Sequence, residues 1–223
     1  MSEGHFAAST GPTRARNDDL FVLIATIGAS AMAFIDGNVV QIALPAIQAD
    51  FKTSFATLQW IVNIYTLFLG ALVLVGGSYG DLLGRPRIFL CGIALFVGAS
   101  TGCGLAPSAA ILVAARCPGI GAAMMVPQSL AIIAASFPKE TRGRAIGTWA
   151  AASALTTALG PPIGGFLIDT LSWRAAFLIN APIGFVALAV AVLKVPESRS
   201  KSTAGVDLPG GVLATLDLGG LTR

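Results

Sequence analysis

Two charged residues, Asp36 and Arg116, stand inside long apolar runs. A charge within such a segment is costly, and it usually faces a protein interior or a water-filled path. Asp36 lies about eight residues before the outer end of its run, and Arg116 about seven residues after the outer start of another. At 1.5 Å per residue both sit about 10–12 Å below one surface. Opposite charges at one depth can meet as a buried pair. That pair either pins two helices together or presents a carboxylate whose proton affinity responds to burial and to the cation beside it.

A second charged group follows an apolar run as Gly77-Ser-Tyr-Gly-Asp81-Leu-Leu-Gly84-Arg85-Pro-Arg87. One turn separates Asp81 from Arg85, so the acid is placed to pair with a base or to cap the start of another helix. Further on, Gly160-Pro161-Pro162-Ile163-Gly164-Gly165 joins a kink signal to small residues four apart, which lets helices approach closely. Other chemistry is poorly supplied. His5 has no partners in reach, and Cys91, Cys103 and Cys117 fall in apolar runs as small fillers without metal-ligand spacing. Serines such as Ser129 and Ser153 in a span usually bond back to their own helix. We expect no enzyme site, no metal and no cofactor.

The elements that must carry these residues are membrane spans. Of 223 residues 55% are hydrophobic and 11% charged, with a mean hydropathy of +0.79. Soluble domains carry about 25% charged residues, so a polar surface is out of reach. The net charge of +3 comes from basic residues in short loops, which argues against nucleic acid as a partner and for orientation in a bilayer. Six apolar runs are read: Leu20–Leu44, Leu58–Gly77, Ile88–Leu105, Ala109–Ala135, Ile146–Ile168 and Ala175–Leu193. Each approaches the roughly 20 residues that cross a ~30 Å hydrocarbon core.

Residues 1–19 form a polar tail without an apolar core of its own, so the first span is expected to serve as the insertion signal. Arg14, Arg16, Arg85, Arg87, Lys139, Arg142, Arg144, Lys194, Arg199 and Lys201 fall on one side, against Lys52 and Arg174 on the other. The positive-inside rule then puts the N-terminus in the cytoplasm. Residues 195–207 read as a cytoplasmic linker, and 208–223 as the opening of an incomplete seventh span.

In this order, the motifs resemble the major facilitator superfamily, and more closely its fourteen-span drug:proton antiporters. Asp36 with Asn38-Val-Val and Ala43-Leu-Pro45 looks like the family's first-span acidic motif. Gly77, Asp81, Gly84, Arg85 and Arg87 match its loop signature, although Leu82 and Pro86 stand where basic residues are usual. Gly160, Pro161, Gly164 and Gly165 match the fifth-span antiport motif, and Trp173-Arg174, Phe177, Asn180 and Pro182-Ile183-Gly184 the sixth-span entry. The fourth-span motif departs: Arg116-Cys117-Pro118-Gly119 is one residue short and lacks the usual Gln. One missing residue turns Arg116 by about 100° relative to the helix beyond it, and Pro118 can absorb part of that rotation through a kink.

The resemblance implies an all-α, polytopic bundle of six transmembrane helices in a 3+3 repeat, the N-terminal half of a plasma-membrane transporter. Asp36 and Arg116 would be its proton-coupling pair, and the loop after the second span its conformational switch. The substrate would be an amphipathic, often cationic small molecule, against apolar walls from Phe34, Trp60, Tyr65, Met124 and Met125. Transport in this family needs two six-span halves around a midplane site. We therefore expect the chain to need the missing C-terminal half and to be inactive alone. Two alternatives remain open: a membrane fragment that does not transport, and a facilitator of the same superfamily without proton coupling.

Overall fold

The computed structural model describes residues 16–116 and 118–195. The described residues form eight helices and no strands. They are α1 (Arg16–Phe51), α2 (Phe55–Leu83), α3 (Arg85–Gly104), α4 (Ala109–Ala115), α5 (Pro118–Ser136), α6 (Lys139–Thr170), α7 (Trp173–Leu178) and α8 (Asn180–Lys194). By length and composition they supply six segments able to cross a membrane, with α4 and α5 sharing the fourth and α7 and α8 the sixth. The expected linker beyond Val195 and the seventh run lie outside the described residues.

Helix ends depart from the apolar runs in instructive ways. Helix α1 already includes the residues ahead of Leu20, among them Asp18 and Asp19, acidic residues that suit the positive end of a helix. Between α2 and α3 stands only Gly84, with φ 107° and ψ 123°, a backbone shape that essentially glycine alone adopts. Its N–H caps α2 by donating to the Gly80 carbonyl at 3.1 Å. Ser54 and Ser108 cap α2 and α4, each accepting from a backbone N–H three residues on. Pro161 and Pro162 lie inside α6, which runs from Lys139 to Thr170.

Helix α1 is the axis of the bundle, packed on α5, α6 and α8, while α3 packs on α5 and α8, and α2 on α5. The interior holds two large apolar clusters along α1, with a small third one of Ile35, Val39 and Ala176. The first, nearer the N-terminal end of α1, gathers Val22, Ala29 and Met32 with Phe89, Phe96, Met125 and Ile133. The second, nearer its C-terminal end, gathers Val40 and Ile47 with Ile61, Leu112, Trp173 and Phe177. Small residues set the helix separations. A Cβ on Gly121 of α5 would stand 2.6 Å from the Gly92 carbonyl of α3, and one on Gly76 of α2 would collide with the Ala123 carbonyl of α5. Close backbone contact of this kind holds membrane helices together where lipid removes any hydrophobic preference for protein.

Gly121→Ala is therefore expected to destabilise the bundle by about 1–3 kcal/mol through overpacking, seen as a lower melting temperature in detergent. Gly98→Ala, where a Cβ meets nothing within 4 Å, should leave the melting temperature unchanged or raise it.

Candidate functional site

Asp36 lies between the two large apolar clusters, on the stretch of α1 that separates Ala33 from Val40. Arg116 reaches it from the end of α4. The fourth span breaks there because Pro118 opens α5 and has no N–H for a preceding turn. Arg116 becomes the C-cap of α4, with φ −70° and ψ 13°, its own N–H bonded to the Val113 carbonyl. A cation suits this negative helix end. The break also answers the rotation expected from the missing residue, since the side chain points inward from the end of a seven-residue helix rather than from the middle of a long one.

The guanidinium has several partners. Nη1 donates to Asp36 Oδ2 at 2.7 Å, and Nε donates to the Ile61 carbonyl of α2 at 3.0 Å. The Tyr65 ring lies with its centroid 4.6 Å from the guanidinium carbon and the Phe177 ring at 5.6 Å, both within cation–π range. Tyr65 is fixed in turn by its hydroxyl, which donates to the Ala33 carbonyl at 3.1 Å. Side-chain exposure is 1% for Arg116 and 0% for Asp36. Asp36 Oδ1, also buried, has no hydrogen-bond partner.

Of the other residues singled out for chemistry, Asp81 pairs with Arg85 rather than capping a helix. Arg85 Nε and Nη2 both donate to Asp81 Oδ1, at 2.9 and 2.8 Å, and Nη1 donates to the Ala131 carbonyl of α5 at 3.2 Å. Gly77 gives its carbonyl to a side chain of α5, Gly84 makes the turn, and Arg87 lies exposed in the first turn of α3. On α6, Gly160 and Gly164 abut Asn38 and Val39 of α1, where added Cβ atoms would stand 3.3 and 2.7 Å away. Pro161 is exposed, and Gly165 faces open space. This contact sits within one turn of Asp36.

The expected substrate wall is divided. Trp60 is 57% exposed, and Phe34 half-buried. Tyr65 is spent on Arg116, and Met125 is fully enclosed in the first apolar cluster. Met124 lines an apolar groove of about 360 Å³ with Leu72, Tyr79, Ile88 and Ile120. Apolar side chains look alike to lipid, core and cavity, so sequence alone does not sort them.

Several polar contacts were missed. Asp50 at the C-terminal end of α1 accepts from Arg174 Nη1 at 2.8 Å and Trp173 Nε1 at 3.0 Å, while Arg174 Nη2 donates to the Ala106 carbonyl at 3.3 Å. Ser30, Ser129 and Trp149 link α1, α5 and α6, through Trp149 Nε1 to Ser30 at 3.0 Å and Ser30 to Ser129 at 3.2 Å. Ser129 also donates to its own helix at the Met125 carbonyl, at 2.9 Å. Asn180, at the break in the sixth span, donates to Ser100 Oγ at 2.9 Å. Polar residues in apolar runs were the available signal. Among the described residues, no three His, Cys, Asp or Glu side chains gather as a metal site.

Residues 26–218 match the family described as Major Facilitator Superfamily. The chain belongs to this family. It is 39% identical over 204 residues to the multidrug resistance protein Stp of Mycobacterium tuberculosis, covering 91% of this chain and 38% of that one. It is also 39% identical over 228 residues to the cephamycin export protein CmcT of Amycolatopsis lactamdurans, covering all of this chain and 46% of the relative. The chain thus spans less than half the length of these relatives. Among solved structures, a bacterial homologue of the lysosomal transporter Spinster, inward-facing and occupied, superposes with a TM-score of 0.69 at 22% identity, covering 84% of this chain and 47% of that one. The peptide transporter POT bound to sulfate gives 0.69 at 16% identity, covering 92% and 44%. These superpositions show the shared fold.

Removing either member of the buried pair strands the other charge, at a cost of about 3–5 kcal/mol. Arg116→Met should therefore lower the melting temperature in detergent more than the double replacement Asp36→Leu with Arg116→Met, a comparison that thermal unfolding of the two variants decides.

Proposed function

We propose that this chain is the N-terminal half of a proton-coupled exporter of amphipathic, often cationic small molecules. It would lie in the plasma membrane with its N-terminus in the cytoplasm. The observation that carries the reading is the Asp36–Arg116 pair, sealed from solvent at the seam between two apolar clusters.

A proton entering from outside adds to the carboxylate of Asp36, whose Oδ1 has no donor to displace. The carboxylate becomes neutral and its attraction for Arg116 falls. Arg116 keeps its charge, and the Ile61 carbonyl and the faces of Tyr65 and Phe177 continue to hold it. Weakening one bond of several lets α1 and α4 shift their balance without stranding a cation in lipid. Next to this switch, the close α1–α6 contact at Gly160 and Gly164 would carry a displacement of α1 into the fifth span. Substrate would leave as the proton enters.

The substrate class is supported by the names of the relatives, which resist drugs or export a cephamycin. A second half is supported by the share of those relatives that the chain spans. The second and fifth spans are also the least enclosed, with 22% and 17% of their most apolar windows buried, against 50% for the first. Their bare faces, with Trp60 on α2 and Leu155, Leu159 and Phe166 on α6, are where a second half would close the path.

In proteoliposomes holding a protein that joins this half to its second half, Asp36→Asn should cut dye efflux driven by a pH gradient at least about tenfold, equivalent to ~1.4 kcal/mol, while dye binding persists. Undiminished coupled efflux would overturn the role of Asp36. Efflux that ignores the gradient in the unsubstituted protein would instead favour a facilitator, and its absence a membrane protein that does not transport. The orientation has its own test. In a background without native cysteines, a single cysteine at Lys52 should react with an impermeant maleimide on intact cells, and one at Lys139 only after lysis.

A further inference from the structure

Gln128 is 1% exposed on α5, three residues before Ala131, whose carbonyl accepts from Arg85. Its Nε2 donates to two successive carbonyls of α2, Gly76 at 2.9 Å and Gly77 at 3.2 Å. The amide lies over Gly80, where a Cβ would clash with its terminal atoms. Gly76, Gly77 and Gly80 therefore form a socket on one face of α2, one turn before the Asp81–Arg85 pair.

Such a socket reads register. Each residue of slip moves α2 by 1.5 Å and turns it by about 100°, bringing Val75, Ser78 or Tyr79 to the place that only a glycine leaves open. The energetics point the same way. Gln128 Oε1 is buried without a partner, and an unmet buried acceptor opposes folding. Interhelical hydrogen bonds in membranes return a stability of no more than similar size. The amide thus contributes little net stability, and an apolar side chain of the same length would serve packing as well. What it does supply is a fixed height for α2 against the fourth span.

We infer that Gln128 is a positioning residue that sets the register of α2 on the fourth span and so presents the Asp81–Arg87 loop at a fixed place on the inner face. Its consequence for turnover rests on the transport reading above, whereas the register itself does not.

The test uses the full chain in nanodiscs, free of native cysteines, with spin labels at Leu82 on α2 and Thr148 on α6. Gln128→Met keeps the length and removes both donors. The expected result is an unchanged or raised melting temperature together with a broadened or second distance peak, displaced by up to one helical turn, ~5 Å. An unchanged distance distribution overturns the inference, whether or not the melting temperature falls. If Gln128→Met does not fold, Gly80→Ala, which drives the amide from its socket, must produce the same displacement or the inference fails. In the two-half protein, Gln128→Met should lower turnover with KM unchanged. A two-half protein that never transports sinks the transport reading, and the label distances still decide the register.

Discussion

Keeping an ion pair where no water can reach it is the constraint around which this bundle is organised. The guanidinium of Arg116 and the carboxylate of Asp36 each lose their hydration on burial, and attraction between them repays this only when the remaining donors are also met. The surroundings of Arg116 answer that demand with a carbonyl from α2, two aromatic faces and the negative end of α4. Together with Asp36 they come from four elements, so α1, α2, α4 and α7 must all be in place before the charge is tolerable. The broken fourth span follows from the same demand, because an arginine at a helix end can be aimed with a freedom that mid-helix geometry denies.

Around the pair the packing is close. Glycines bring α3 and α2 against the backbone of α5, and bring α6 against α1 beside Asp36. In lipid, where tails are as apolar as leucine, such contact and a few interhelical hydrogen bonds replace the hydrophobic drive of a soluble core. The Ser30–Ser129–Trp149 chain and the Asn180–Ser100 bond are ties of this second kind.

How much was legible in the sequence depended on how anomalous a residue was in its setting. Asp36 and Arg116 stood out because charge in an apolar run is expensive, and their common depth followed from the helix rise alone. Asp81 and Arg85 stood out through a spacing of four. Gln128 carried a weaker version of the same signal, but the glycine socket it fills lies 48 to 52 residues away on another helix. The apolar wall was the least legible part. Tyr65 and Met125 proved to be interior, Met124 lined an apolar groove, and Trp60 stayed exposed. Where lipid and core are equally apolar, a helix loses the alternation that would tell one face from the other. The break at Arg116 was half-visible, since Pro118 marked the place and only the fold showed where the side chain went.

The clasp of Asp50 with Trp173 and Arg174 has a mechanical meaning of its own. It ties the C-terminal tip of α1 to the start of the sixth span, and through the Ala106 carbonyl to the turn after α3. Three corners at one end of the bundle are thereby joined through Arg174, so parting any one of them from the rest breaks at least one hydrogen bond.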